Sequence, residues 1–158
     1  MTDEQKRSFT LRISQANRSK LVVIVYEMLL VYTLDARAAI ENSNDDELKE
    51  SIRKAKGCID ELINGLDESY DISKDLFNLY AYIIKEFVRA QMKHSTEALD
   101  NIVTVVTPLK DSFAKISQSD DSEPLMSNTQ SVVAGYTYGR GDVNEAVDND
   151  AANRGFFA

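Results

Sequence analysis

Residues 20–36, KLVVIVYEMLLVYTLDA, have almost no polar face: between Leu21 and Leu34 only Glu27 and Thr33 interrupt the apolar and aromatic side chains. An amphipathic surface helix shows one apolar stripe and one polar face. The valine-rich start has strand propensity, but the pattern runs on without a break through ARAAIE. A run of that length predicts a helix from about Ser19 to Glu41, with Ser19 as candidate N-cap and Asn42, Ser43 and Asn44 as the turn. Crossing a bilayer takes about 20 apolar residues. This run is shorter and carries Glu27 at its middle, where a charge is costly, so it calls for cover by protein.

Three further helices follow. DDELKESIRKAKGCIDELINGLD, residues 45–67, opens with Asp45, Asp46 and Glu47, which suit the positive end of a helix dipole. Leu48, Ile52, Ala55, Ile59, Leu62, Ile63 and Leu66 make one apolar stripe at three- and four-residue spacing. Gly57 weakens its middle and Gly65 marks its end. SKDLFNLYAYIIKEFVRAQMKH, residues 73–94, is the second heavily apolar helix, with Leu76, Leu79, Tyr80, Ile83, Ile84, Phe87, Val88 and Met92 on a broad face. STEALDNIVTVVTPLKDSFAKIS, residues 95–117, has Ser95 or Thr96 as cap, a stripe through Leu99, Ile102, Val103, Val106, Leu109 and Phe113, and a proline, Pro108, expected to kink or break it.

From Gln118 the character changes. This stretch holds four of the six glycines, seven acidic and two basic residues, and no sustained helical period. It reads as a flexible acidic tail. The expected organisation is therefore a flexible segment or short helix over residues 1–17, a helical domain over 18–117 and a mostly disordered tail over 118–158. Short connections favour an all-α, antiparallel up-down four-helix bundle. Two of its helices carry more apolar surface than one stripe, and surplus apolar surface marks interaction sites.

Composition narrows the function. The net charge of −8 argues against a nucleic-acid partner, which needs a basic footprint. The single cysteine, Cys58, excludes an internal disulfide and most thiolate metal sites, and it suits a reducing cytosol. The polar first 20 residues lack the apolar region of a signal peptide. A di-iron bundle needs two Glu-x-x-His pairs, whereas the one histidine, His94, follows Gln91 by three residues. His94 falls at a helix end, where the dipole favours it, rather than mid-helix as a phosphotransfer histidine would. No phosphate-cradling loop and no nucleophile–base arrangement is present, and GYTYGRG lacks a preceding strand. No catalytic residue, cofactor site or metal site is expected.

Several motifs resemble one family. SKLVVIVYEMLLVYTLDARAAIENSN is similar to the first long helix of FliS, the flagellar export chaperone family that binds flagellin, through Val25-Tyr26-Glu27 and the ending Ala38-Ala39-Ile40-Glu41. IRKAKGCIDELINGLD is similar to the family's second helix. NLYAYIIKEFVRAQMKHSTEALDNI matches best, through Leu79-Tyr80-Ala81-Tyr82-Ile83, Phe87-Val88-Arg89-Ala90-Gln91 and Glu97-Ala98-Leu99. The resemblance covers roughly residues 17–117.

The resemblance implies an antiparallel helical bundle without catalytic activity, working in the bacterial cytosol as a monomer or weak homodimer. Such a protein holds the disordered C-terminal segment of flagellin in apolar grooves, prevents premature polymerisation and aids delivery to the secretion apparatus, with the export gate as a further candidate partner. The groove residues it suggests are Val25, Met28, Leu29 and Tyr32 from the first long helix and Tyr80, Tyr82, Ile83, Ile84, Phe87 and Gln91 from the third. Each apolar one of these is equally a core candidate, since bundles bury their apolar faces. The family's N-terminal segment, which can occupy the empty groove, usually has a tyrosine. Residues 1–20 have none here, and Tyr136, Tyr138, Phe156 and Phe157 make the tail an alternative plug. The competing reading is a helical adaptor or chaperone for a different secretion client.

Overall fold

The computed structural model describes residues 1–126, and Tyr136, Tyr138, Phe156 and Phe157 lie outside them. The described residues form five helices and no strand: α1 Asp3–Ser14, α2 Arg18–Glu41, α3 Asp45–Asn64, α4 Asp71–Lys93 and α5 Thr96–Gln118. The expected count of four is therefore corrected to five, the addition being α1. Its local chemistry explains it. Thr2 and Gln5 form a reciprocal capping box, and Asp3 and Glu4 sit at the positive end of the dipole. Twelve residues make a marginal helix in water, so tertiary contact has to complete it.

The other helices differ from expectation mainly at their ends. Asn17, not Ser19, caps α2: its side-chain oxygen accepts the Lys20 N–H at 3.0 Å. Asn44 caps α3 and Ser95 caps α5 in the same way. Pro108 neither ends nor divides α5, which continues to Gln118. The α2–α3 turn is closed by Ser43 in the left-handed region (φ 53°), and α4 ends on His94 in the same conformation (φ 49°).

Packing follows a ring. α2 lies against α3 and α5, α4 lies against the same pair, and α1 lies against α2 alone. The central core is built from Tyr26, Leu29, Ala36 and Ala39 of α2, Leu48, Ile52, Ile59 and Leu62 of α3, Tyr80, Ile83 and Phe87 of α4, and Leu99, Ile102 and Val106 of α5. Small residues at Ala36, Ala39, Ala55, Ala90 and Ala98 are also buried there. α2 and α4 face each other across this core, where the Tyr26 and Tyr80 hydroxyls hydrogen-bond at 2.6 Å and Phe113 packs on the Tyr26 ring at 5.5 Å. Burial raises both phenol pKa values above the ordinary tyrosine range. Cys58 is buried too, and desolvation pushes its thiol up to about 11.

A smaller cluster lies on the other side of α2. Phe9 of α1, Ala16 of the corner and Ile24 of α2 are buried together, with Ile13, Leu21, Met28 and Val31 packed around them. Glu27, the charge inside the apolar run, pairs with Arg12 of α1, whose guanidinium lies over the Phe9 ring. The circumference of α2 is thus covered from three directions: α3, α5 and α1.

Candidate partner-binding surface

Among the described residues α4 has neighbours on two sides and none on the third. Its outward face carries Phe77, Val88 and Met92, at 51%, 40% and 77% exposure. With half-buried Ala81 and Ile84 these residues recur at four- and three-residue spacing, one continuous stripe on the helix surface. Tyr82, 39% exposed, lies roughly a third of a turn around α4 from this stripe, on the same solvent side of the helix. At the α3–α4 end, Ile63, Leu66, Ser73, Lys74, Phe77 and Asn78 line an open cleft of about 630 Å³. A stripe of this kind, leading into a cleft, matches what an amphipathic partner helix needs.

The residues suggested by sequence separate into three groups. Leu29, Tyr80, Ile83 and Phe87 are buried in the central core. Val25, Met28, Tyr32, Ile84 and Gln91 are half-buried. Tyr82 is exposed. They do not form one surface: Met28 packs under α1, and Tyr32 lies under the Lys54 ammonium at 5.9 Å beside a polar cleft lined by Asp35, Asp46, Glu47 and Glu50. Val25 borders a second apolar pocket of about 370 Å³ between α2 and α3, with Val22, Leu62, Leu66, Tyr80 and Phe113. Ile84 and Gln91 adjoin the α4 stripe. Phe77 was missed by sequence reasoning, although its spacing to Ala81, Ile84 and Val88 signals the same face.

The polar groups near α4 serve structure. Glu86 is buried and accepts from the Asn101 side chain at 2.9 Å, while Arg89 links it to Glu97. His94 Nε2 lies 2.8 Å from the Asp45 carboxylate, joining the end of α4 to the start of α3. Among the described residues no group of three His, Cys, Asp or Glu side chains could hold a metal ion, and no helix is long and apolar enough to cross a membrane.

Among the described residues the protein is thus an all-helical ring that leaves an apolar stripe and an apolar cleft open. Comparison makes this specific. The family of the flagellar protein FliS matches residues 1–120, and the chain belongs to that family. It is similar to the flagellar secretion chaperone FliS of Bacillus subtilis, at 27% identity over 68% of this chain and 81% of that protein. Two similar relatives are the flagellar secretion chaperone FliSB of Pseudomonas aeruginosa, at 29% identity over 74% of this chain and 94% of that protein, and the FliS of Vibrio cholerae, at 23% identity over 71% and 84%.

Proposed function

We propose that this protein is a cytoplasmic flagellar secretion chaperone that holds the disordered C-terminal segment of flagellin on its apolar surface, keeps it from polymerising and passes it to the export apparatus. The observation that carries this reading is the stripe Phe77–Ile84–Val88–Met92, which no other described part of the chain covers. A segment that folds as it binds can wrap such a surface, and three- and four-spaced anchors would seat in the cleft beside Ile63 and Leu66. Gln91 borders the same face and supplies a polar contact, while Tyr82, farther round the solvent side of α4, offers an aromatic contact to a segment that wraps the helix. Leu29, Tyr80, Ile83 and Phe87 support that face from below. The role is one of binding, without catalysis or cofactor.

α1 enters the same reading as the N-terminal element that covers Leu21, Ile24, Met28 and Val31 until a client competes for them. Two ion pairs support an antiparallel up-down order of the bundle: Arg37, near the end of α2, with Asp100, near the start of α5, and His94, at the end of α4, with Asp45, at the start of α3.

Calorimetric titration with the C-terminal segment of flagellin from the same bacterium tests the proposal. Binding near one to one with a negative heat-capacity change is expected, since that change reports apolar burial. Absence of heat and of co-elution in gel filtration removes flagellin as the client.

A further inference from the structure

The seven residues after α5 do not simply leave the bundle. They turn back across the corner where α1 meets α2. Asn17, at that corner, is 1% exposed. Its side-chain amide donates to the carbonyls of Asp120 at 2.9 Å and Ser122 at 3.2 Å, while its oxygen caps α2. The Ser19 hydroxyl donates to the Asp120 carboxylate. The Leu125 N–H donates to the Ala16 carbonyl at 3.0 Å. The Leu125 side chain then lines the mouth of the pocket formed by Val22, Val25, Leu62, Tyr80 and Phe113.

We propose that residues 119–125 are a strap that holds α1 on α2, so that releasing this segment undocks α1 and opens the α2–α3 pocket together. The balance of forces at α1 supports this. Besides the ion pair of the Met1 amino group with Asp35, its own hold on α2 is one small apolar cluster and the partly exposed Arg12–Glu27 pair, and exposed pairs contribute little. A helix of 12 residues has little stability alone. The corner, by contrast, buries the Asn17 amide, and a buried donor deprived of its acceptor costs more than an ordinary hydrogen bond contributes. Both acceptors come from the strap, so withdrawing it leaves Asn17 either buried without partners or drawn out to water. The second course pulls Ala16 and α1 with it. Residues 126–158 continue directly from the strap, so an interaction that draws on them acts on the α1 corner.

Amide hydrogen exchange of the full chain, read by mass spectrometry, tests this without any client. Its failure would leave the chaperone reading untouched. Asn17→Asp keeps a good cap for α2 but removes both donors to the strap and sets a carboxylate against Asp120. Leu125→Pro leaves Asn17 intact, deletes the N–H that reaches Ala16 and removes the leucine side chain from the pocket mouth. Both variants should accelerate exchange across residues 5–14, roughly tenfold for Asn17→Asp and less for Leu125→Pro, while α3 and α4 keep their protection. Unchanged exchange across α1 in both variants overturns the proposal, as does acceleration spread equally over α1, α3 and α4.

Discussion

α2 and α4 look alike in sequence and fare differently in the fold. Each carries more apolar surface than one stripe accommodates. α2 is covered on three sides, by α3, α5 and α1, and even its mid-helix Glu27 finds Arg12. Among the described residues α4 is covered by α3 and α5 only, and Phe77, Val88 and Met92 stay exposed. Within the described residues the same surplus is thus closed at one helix and left open at the other. An open apolar face costs solubility and invites association, and the proposed holding of another polypeptide gives its retention on α4 a reason.

The comparison is sharpest within α4 itself, where Tyr80 and Tyr82 stand two residues apart on opposite sides. Tyr80 is buried and bonded to Tyr26. Tyr80→Ala removes a buried ring and strands the Tyr26 hydroxyl, so it should destabilise the bundle by about 3–5 kcal/mol. A thermal melt should then fall by roughly 10 °C or more. A melt that hardly moves would show that the two diagonal helices are not joined through these tyrosines.

Phe9→Ala tests the covered side of α2 and should have a smaller, local effect. Phe9 belongs to the cluster that holds α1 and has no part in the central core. Its loss weakens docking by about 1.5–3 kcal/mol, the usual return for burying such a side chain. The expected readout is increased binding of a hydrophobic dye and faster proteolysis within residues 3–14, with the main thermal transition shifted far less than by Tyr80→Ala. If the whole bundle melts early instead, α1 and the four-helix ring form one cooperative unit.

α3 to α5 were legible because each carries a stripe of large apolar residues over 20 or more positions, and α2 because its apolar run continues unbroken for longer than a strand. α1 was harder to read. Its apolar residues are few, with Phe9 and Ile13 among charges, and its strongest signal was the capping pattern Thr2-x-x-Gln5 rather than any stripe. The cap of α2 was placed two residues late because Ser19 and Asn17 are both good caps locally, and the burial of Asn17 under residues 120–122 is a contact between distant parts of the chain. Core and surface on α4 were not separable by period. Apolar residues occupy both its faces, and only the placement of α3 and α5 decides that Tyr80, Ile83 and Phe87 point inward while Phe77, Tyr82 and Val88 do not.

Tyr82→Ala should have the smallest effect on the fold and the most informative one on function. The ring is 39% exposed, and none of the side-chain hydrogen bonds or aromatic pairs of the described residues depends on it. Exposed truncations of this kind stay within about 0.5 kcal/mol of the parent stability. The ring shares the solvent side of α4 with the stripe on which a client is proposed to lie, roughly a third of a turn away, and aromatic residues dominate binding energy at such surfaces. Titration with the flagellin segment should therefore show affinity lowered roughly tenfold, about 1.4 kcal/mol, at an unchanged melting temperature. Unchanged affinity in Tyr82→Ala, with Val88→Ser equally silent, would move the client off α4 and onto the side of α2 that α1 occupies. The open helix would then have to be explained by association between copies of the chain, which sedimentation velocity at rising concentration would reveal.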